Sequence, residues 1–242
     1  MPSASLPAWQ ALSAAKAMLK AIIFDFDGVL LDSESLHFQA IREMLQKRGR
    51  DLPIEKFLTY CGTKESFMWP DMFTWAGLPL EETDSLSKER WNLYQKLREG
   101  GDPLFPGTLP FLAACRKDGL LLAVSSGTDV SILEKDLRAF GYLPYFSALS
   151  CVRECAKGKP APDVFLLSAK KLGVAPKECL VIEDAKSGML AAKAAGMSLA
   201  GFCGASIPTD MSEAPVSFSD YREMNPSILR AWHEEQQAKR QV

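Results

Sequence analysis

The sequence predicts an α/β protein: a doubly wound, Rossmann-like parallel sheet with an all-helical cap domain inserted after the first strand. Three observations predict it. Short β-rich apolar runs bounded by Gly, Pro, Ser or Asp recur at 21–24, 120–124, 179–182 and 198–202, with a weaker one at 146–150, as expected of strands buried on both faces. Helical patterns lie between them at 108–117, 130–140, 162–172 and 187–195, each followed by a glycine at 119, 141, 173 or 196, the residue that most readily ends a helix. The alternation then fails from Ser33 to about Glu99, where the pattern is helical without strands.

The first strand is "AIIF", which leads into Asp25. The segment "SESLHFQAIREMLQKRG" has Leu36, Ile41, Met44 and Leu45 at helical spacing, and "SLSKERWNLYQKLREGG" repeats the style. Hinges are expected at 31–34 and in the Gly/Pro-rich stretch 99–107. The chain therefore divides into a core of 18–32 and 103–242, a cap of 33–102, and an N-terminal extension of 1–17. Phe67, Trp69, Phe73, Trp75 and Trp91 read as cap core.

Composition narrows the function. With 242 residues, 47% of them hydrophobic and 24% charged, the chain can bury a proper core. A formal net charge of −2 without a run of Lys or Arg gives no footprint for nucleic acid or an anionic membrane. No apolar run approaches the roughly 18 residues of a membrane span. The six cysteines are scattered, which suits a reducing compartment. The expectation is a soluble cytoplasmic protein, monomeric or weakly dimeric.

"FDFDG", residues 24–28, sets two carboxylates two positions apart. At about 4 Å and an effective dielectric of about 20 their repulsion costs roughly 4 kcal/mol, so something must offset it. In open α/β sheets ligands sit beyond the carboxyl ends of the strands. There the sequence places Asp25, Asp27 and Gly28, then Ser125, Ser126 and Gly127, then Glu183 and Asp184, while the loop "KGKPAPDVF" adds Lys157 and Lys159. Oxygen ligands without His or Cys favour Mg²⁺. Ser125, the following N–H groups and Lys159 suit phosphate oxygens.

These segments resemble the haloacid-dehalogenase superfamily of phosphotransferases. "DFDGVLLDSE", the hydroxyl of "VSSGT", "KGKPAPDVF" and "VIEDAKSGMLAAKAAG" match its four motifs in order, over about residues 19–218. The likeness is strongest to the β-phosphoglucomutase-like branch. It implies Asp25 as nucleophile and Asp27 as general acid/base. It further implies Ser125, Ser126 and Lys159 as phosphate binders, and Mg²⁺ held by Asp25, the Asp27 carbonyl and Asp184 with Glu183 in support.

In the cap, the resemblance offers His37 as a link between cap closure and acid/base chemistry, and Gly62 and Lys64 as substrate contacts. Glu65 and Cys61 stand where the mutases carry basic residues, which weakens a mutase assignment. The expected function is Mg²⁺-dependent hydrolysis of a small phosphorylated metabolite, a sugar or polyol phosphate. A phosphomutase and a phosphate/Mg²⁺ sensor without turnover are the alternatives.

Overall fold

The computed structural model describes residues 18–60 and 65–240. In chain order, β1 (Ala21–Phe24) is followed by α1 (Ser33–Gln46), α2 (Ile54–Leu58), α3 (Glu65–Ala76) and α4 (Thr83–Arg98). Next come α5 (Thr108–Lys117), β2 (Leu121–Ser126), α6 (Val130–Ala139), β3 (Ala148–Cys151) and α7 (Asp163–Leu172). The chain ends with β4 (Cys179–Glu183), α8 (Lys186–Ala194), β5 (Ser198–Phe202), β6 (Ser217–Phe218) and α9 (Pro226–Lys239).

The strands form one parallel sheet in the order β3-β2-β1-β4-β5-β6. From β1 the chain first winds to one side and then, at β4, to the other. A doubly wound sheet opens a crevice where its winding reverses, here between β1 and β4.

Side-chain alternation along each strand feeds two cores. Ile22, Phe24, Leu122, Val124, Leu180 and Ile182 pack under α5, α6 and α9 through Phe111, Leu112, Leu133, Leu137 and Leu229. Ala21, Ile23, Ala123 and Val181 face α7 and α8, against Val164, Phe165, Met189 and Ala192. Because both faces are covered, the strands read as continuous apolar runs.

The four inserted helices have their own apolar cluster, built on Ile41, Met44, Leu45, Phe57, Met72 and Phe73. Ile207, from the loop after β5, joins that cluster, and Ser206 donates its N–H and hydroxyl to Asp32. Both crossings between cap and sheet lie side by side, since Leu31 pairs with Leu104 and Asp32 N–H donates to Pro103 O at 3.0 Å.

Two expectations need correction. Ser125 and Ser126 belong to β2 itself, because the ladder with β3 continues through Ser125↔Ser150 and Ser126↔Cys151. Trp69 and Phe73 are buried in the cap, but Trp75 and Trp91 are 42% and 41% exposed. Trp75 lies on the Lys56 ammonium, 5.9 Å from its ring centre, and Trp91 borders a cavity described below. The side chain of Phe67, and residues 1–17, lie outside the described residues.

Candidate active site

At the mouth of the crevice three carboxylates converge. Asp25 directly follows β1, and its N–H extends the ladder to Ile182 O at 2.9 Å. Glu183 closes β4, and Asp184 follows it. Oxygens of Asp25, Glu183 and Asp184 all lie within 4.8 Å of one another, and all three residues are buried. Lys159 bridges two of them, donating to Asp25 Oδ1 at 2.5 Å and Glu183 Oε1 at 2.6 Å.

Two glycines make this approach possible. Gly28 has φ +76°, and a Cβ there would overlap the Asp184 carboxylate. Such a φ is readily adopted only by glycine. Gly188, in the first turn of α8, likewise leaves the space that the Glu183 carboxylate occupies. The second Glu183 oxygen accepts the Ala185 N–H at 2.6 Å, at the helix end where the macrodipole favours an anion.

Burial is the main influence on these groups. It lifts the Asp25 carboxyl to about 7 against the pull of Lys159, with Glu183 adding repulsion. Burial, then Glu183 and Asp25, raises Asp184 well above the ordinary carboxylate range. Burial works against the Lys159 ammonium, but Asp25 and Glu183 outweigh it and push its pKa up. Among the described residues three carboxylates meet at one ammonium here, so full ionisation would leave two uncompensated negative charges. An all-oxygen set with that deficit fits a hard divalent cation.

Asp27 is treated differently. It is half-buried, its Oδ1 accepts the Ser33 hydroxyl at 2.7 Å, and its Oδ2 accepts the Thr128 hydroxyl at 3.0 Å. Ser33 opens α1 and Thr128 follows β2, so cap and sheet each hold one oxygen.

On the Asp27 side lies a cavity of about 370 Å³ bordered by His37, Arg90, Trp91, Tyr94 and Arg153. His37 stacks on Tyr94 with ring centres 4.2 Å apart, and Arg90 Nη1 lies 3.1 Å from its Nδ1. Burial, then Arg90 and Arg98, lowers the imidazole to about 3. His37 is therefore neutral, with Nδ1 accepting from Arg90 and the other ring nitrogen protonated. A second cavity, of about 580 Å³, opens beside Asp184 and Glu34. Burial, then repulsion from Asp27 and Asp32, lifts Glu34 to about 7.

Of the residues singled out in the sequence, Asp25, Lys159, Glu183 and Asp184 meet directly. Asp27 adjoins them, and His37 borders the Asp27 cavity. Ser125 is abreast of Asp25, one step beyond the paired Phe24 and Val124, with its hydroxyl 2.7 Å from that of Ser168. Ser126 Oγ accepts the Thr128 N–H at 2.9 Å. The Lys157 backbone N–H donates to Asp163 Oδ1 at 3.2 Å. Gly62 and Lys64 lie outside the described residues. Ser33, Thr128 and Arg90 escaped the sequence reading. Ser33 had a local signal, its place at the start of a helix.

Comparison with known proteins agrees with this geometry. A family model described as haloacid dehalogenase-like hydrolase matches residues 19–196. Hexitol phosphatase B of Escherichia coli K12 is 34% identical over 182 residues, covering 73% of this chain and 80% of its own. Fructose-1-phosphate phosphatase of the same strain is 33% identical over 184 residues, covering 73% and 92%. In fold, the chain is similar to the crystal structure of β-phosphoglucomutase from Clostridium difficile, with a TM-score of 0.73 at 24% identity over 90% of this chain and 99% of that one. The chain belongs to the haloacid dehalogenase-like hydrolases. It is a phosphoric monoester hydrolase of that family.

Proposed function

We propose that the protein hydrolyses a small sugar or polyol phosphate with Mg²⁺ as cofactor, through an aspartyl-phosphate on Asp25. The observation that carries this reading is the Asp25–Lys159–Glu183–Asp184 cluster at the switch point, with Asp27 oriented beside it. Relatives acting on hexitol phosphate and fructose 1-phosphate support the substrate class.

Asp25 and Asp184, with the Asp27 carbonyl, would hold Mg²⁺, and Glu183 would support them. When bound, the cation supplies positive charge that offsets the carboxylates and the phosphate. Lys159 fixes Asp25 Oδ1, leaving Oδ2 to attack phosphorus. As the Asp25–phosphorus bond forms, the bond to the leaving oxygen breaks, and Asp27 gives that oxygen its proton. Asp27 then takes a proton from water as the water oxygen attacks phosphorus. The Asp25–phosphorus bond breaks, releasing inorganic phosphate. Lys159 and the N–H groups after β2 anchor the phosphate, with Ser125 at the same site.

The segment 33–102 acts as a cap, hinged at the paired crossings around Leu31 and Leu104, and its closure excludes bulk water. His37 couples that closure to Asp27 from the cavity they share. Arg90, in the same cavity, favours a second reading as a sugar phosphomutase, since a cap cation can retain a second phosphate.

Phosphate release with Mg²⁺ across a panel of sugar, polyol and bisphosphate esters separates the readings. Hydrolysis of one ester, lost on chelation and in Asp25→Asn, is the expected result. Conversion of a sugar 1-phosphate into its 6-phosphate isomer without net phosphate release would instead identify a mutase.

A further inference from the structure

The carboxylate cluster acts on phosphate and is indifferent to what the phosphate is attached to. The leaving group has to lie where Asp27 can protonate its oxygen. Asp27 borders the cavity of about 370 Å³ that also meets Trp91 of α4 and Ile132 of α6.

Among the described residues eight large hydrophobic side chains are well exposed, and two of them, Trp91 at 41% and Ile132 at 39%, border this one cavity. They come to it from different elements: α4 belongs to the inserted helices, whereas α6 follows β2 of the sheet. Apolar surface left in water is unfavourable, and here it lies where a leaving group would cover it. Trp91 also ends a stack of three rings. It leans on Tyr94 with centres 5.3 Å apart and planes at 24°, and Tyr94 stacks in turn on His37. Polar groups complete the lining, since Asp129 and Arg153, an ion pair at 3.4 Å with both side chains partly exposed, border the same cavity.

A closed sugar ring has the matching surface. Its C–H bonds gather on the ring faces and its hydroxyls project from the edge, so a face can lie on an indole or an aliphatic side chain while the hydroxyls keep polar partners. An open-chain polyol of the same size has no such face until several torsions are frozen, which weakens its binding.

We propose that Trp91 and Ile132 are specificity-determining residues that cover the ring of a closed sugar phosphate, so that ring sugar phosphates are hydrolysed in preference to open-chain polyol phosphates. This rests on the phosphatase reading and narrows its substrate class. The ring contact is the same before and during phosphoryl transfer, and it therefore acts on KM rather than kcat.

The test compares kcat/KM for phosphate release by the full-length protein with Mg²⁺ on pairs that differ only by reduction of the ring sugar to its open chain: glucose 6-phosphate with sorbitol 6-phosphate, mannose 6-phosphate with mannitol 6-phosphate, and ribose 5-phosphate with ribitol 5-phosphate. The best ring substrate is expected to exceed its open-chain partner about tenfold, the scale of burying roughly 55 Å² of apolar surface. Trp91→Ala should remove most of that ratio by raising KM for the ring member, with kcat and the open-chain partner changed less than about twofold. Trp91→Phe keeps a flat face and should retain most of the ratio, and Ile132→Ser should lower it by a smaller factor than Trp91→Ala. Both members of a pair are measured on one preparation, so loss of folded protein leaves the ratio unchanged.

A wild type that hydrolyses the open-chain members as well as the rings overturns the inference. Equal loss on both members in Trp91→Ala also overturns it, by giving Trp91 a structural role. Turnover of other esters but of no member of any pair overturns the inference while the phosphatase reading stands. No phosphate release from any ester overturns the phosphatase reading and the inference with it.

Discussion

Asp25 and Asp27 differ by two positions in sequence and by almost everything in surroundings. Asp25 is 7% exposed and bound to an ammonium, whereas Asp27 is half-buried and bound by two hydroxyls, one from the cap and one from the sheet. An ammonium can only donate, so it favours a carboxylate. Hydroxyls rotate to accept as well as donate, so they accommodate a carboxylate or a carboxylic acid. One pair of like residues thus acquires two surroundings, an ammonium at the proposed nucleophile and two hydroxyls at the proposed acid/base.

The largest expected effect tests the second half of that contrast. Asp27→Asn keeps the size and one acceptor but cannot deliver or take the proton, and kcat should fall about 10²- to 10⁴-fold. A loss under about tenfold, measured on the best ester, would assign the proton transfer elsewhere. Lys159→Met addresses the Asp25 half. Removing the ammonium should lower kcat about 10²- to 10³-fold, and a variant that keeps wild-type turnover would show that Asp25 does not depend on this charge.

Smaller effects come from the supports. Gly188→Ala places a methyl where the Glu183 carboxylate lies, an overpacking expected to cost about 1–3 kcal/mol in denaturant unfolding. Stability equal to wild type would mean that α8 moves aside easily.

His37 gives the mildest prediction. Its folded pKa of about 3 lies below the ordinary 6.5, so between these values the unfolded chain carries a proton that the folded cap does not. Its contribution to stability is present above about 6.5 and is lost as pH falls toward about 3. Glu34 acts in the opposite sense. Raised from 4.5 to about 7, its contribution is full below about 4.5 and is lost as pH rises through about 7. His37→Asn should therefore make the fall in stability below pH 6.5 shallower than in wild type. An identical slope in urea unfolding across that window would assign the protons to other groups.

The sheet was legible where chemistry is repetitive. Buried parallel strands must be apolar along their length, so β1 and β5 were bounded as they stand, and α5 ended at its glycine. β6 has two residues, too few to make a pattern. The exposure of Trp75 and Trp91 was hidden because helical spacing does not say which side of a helix will find a partner.

The site divides in the same way. The chain by itself determined that carboxylates, hydroxyls and a lysine gather at one edge of the sheet, because an α/β sequence fixes which residues follow its strands. Only the tertiary structure decided how each group is used. Thr128 meets Asp27 across 101 positions, Arg90 meets His37 across 53, and Ser168 meets Ser125 across 43. Such pairs leave no local mark, because a hydrogen bond depends on where folding brings two side chains and on which way their hydrogens then point.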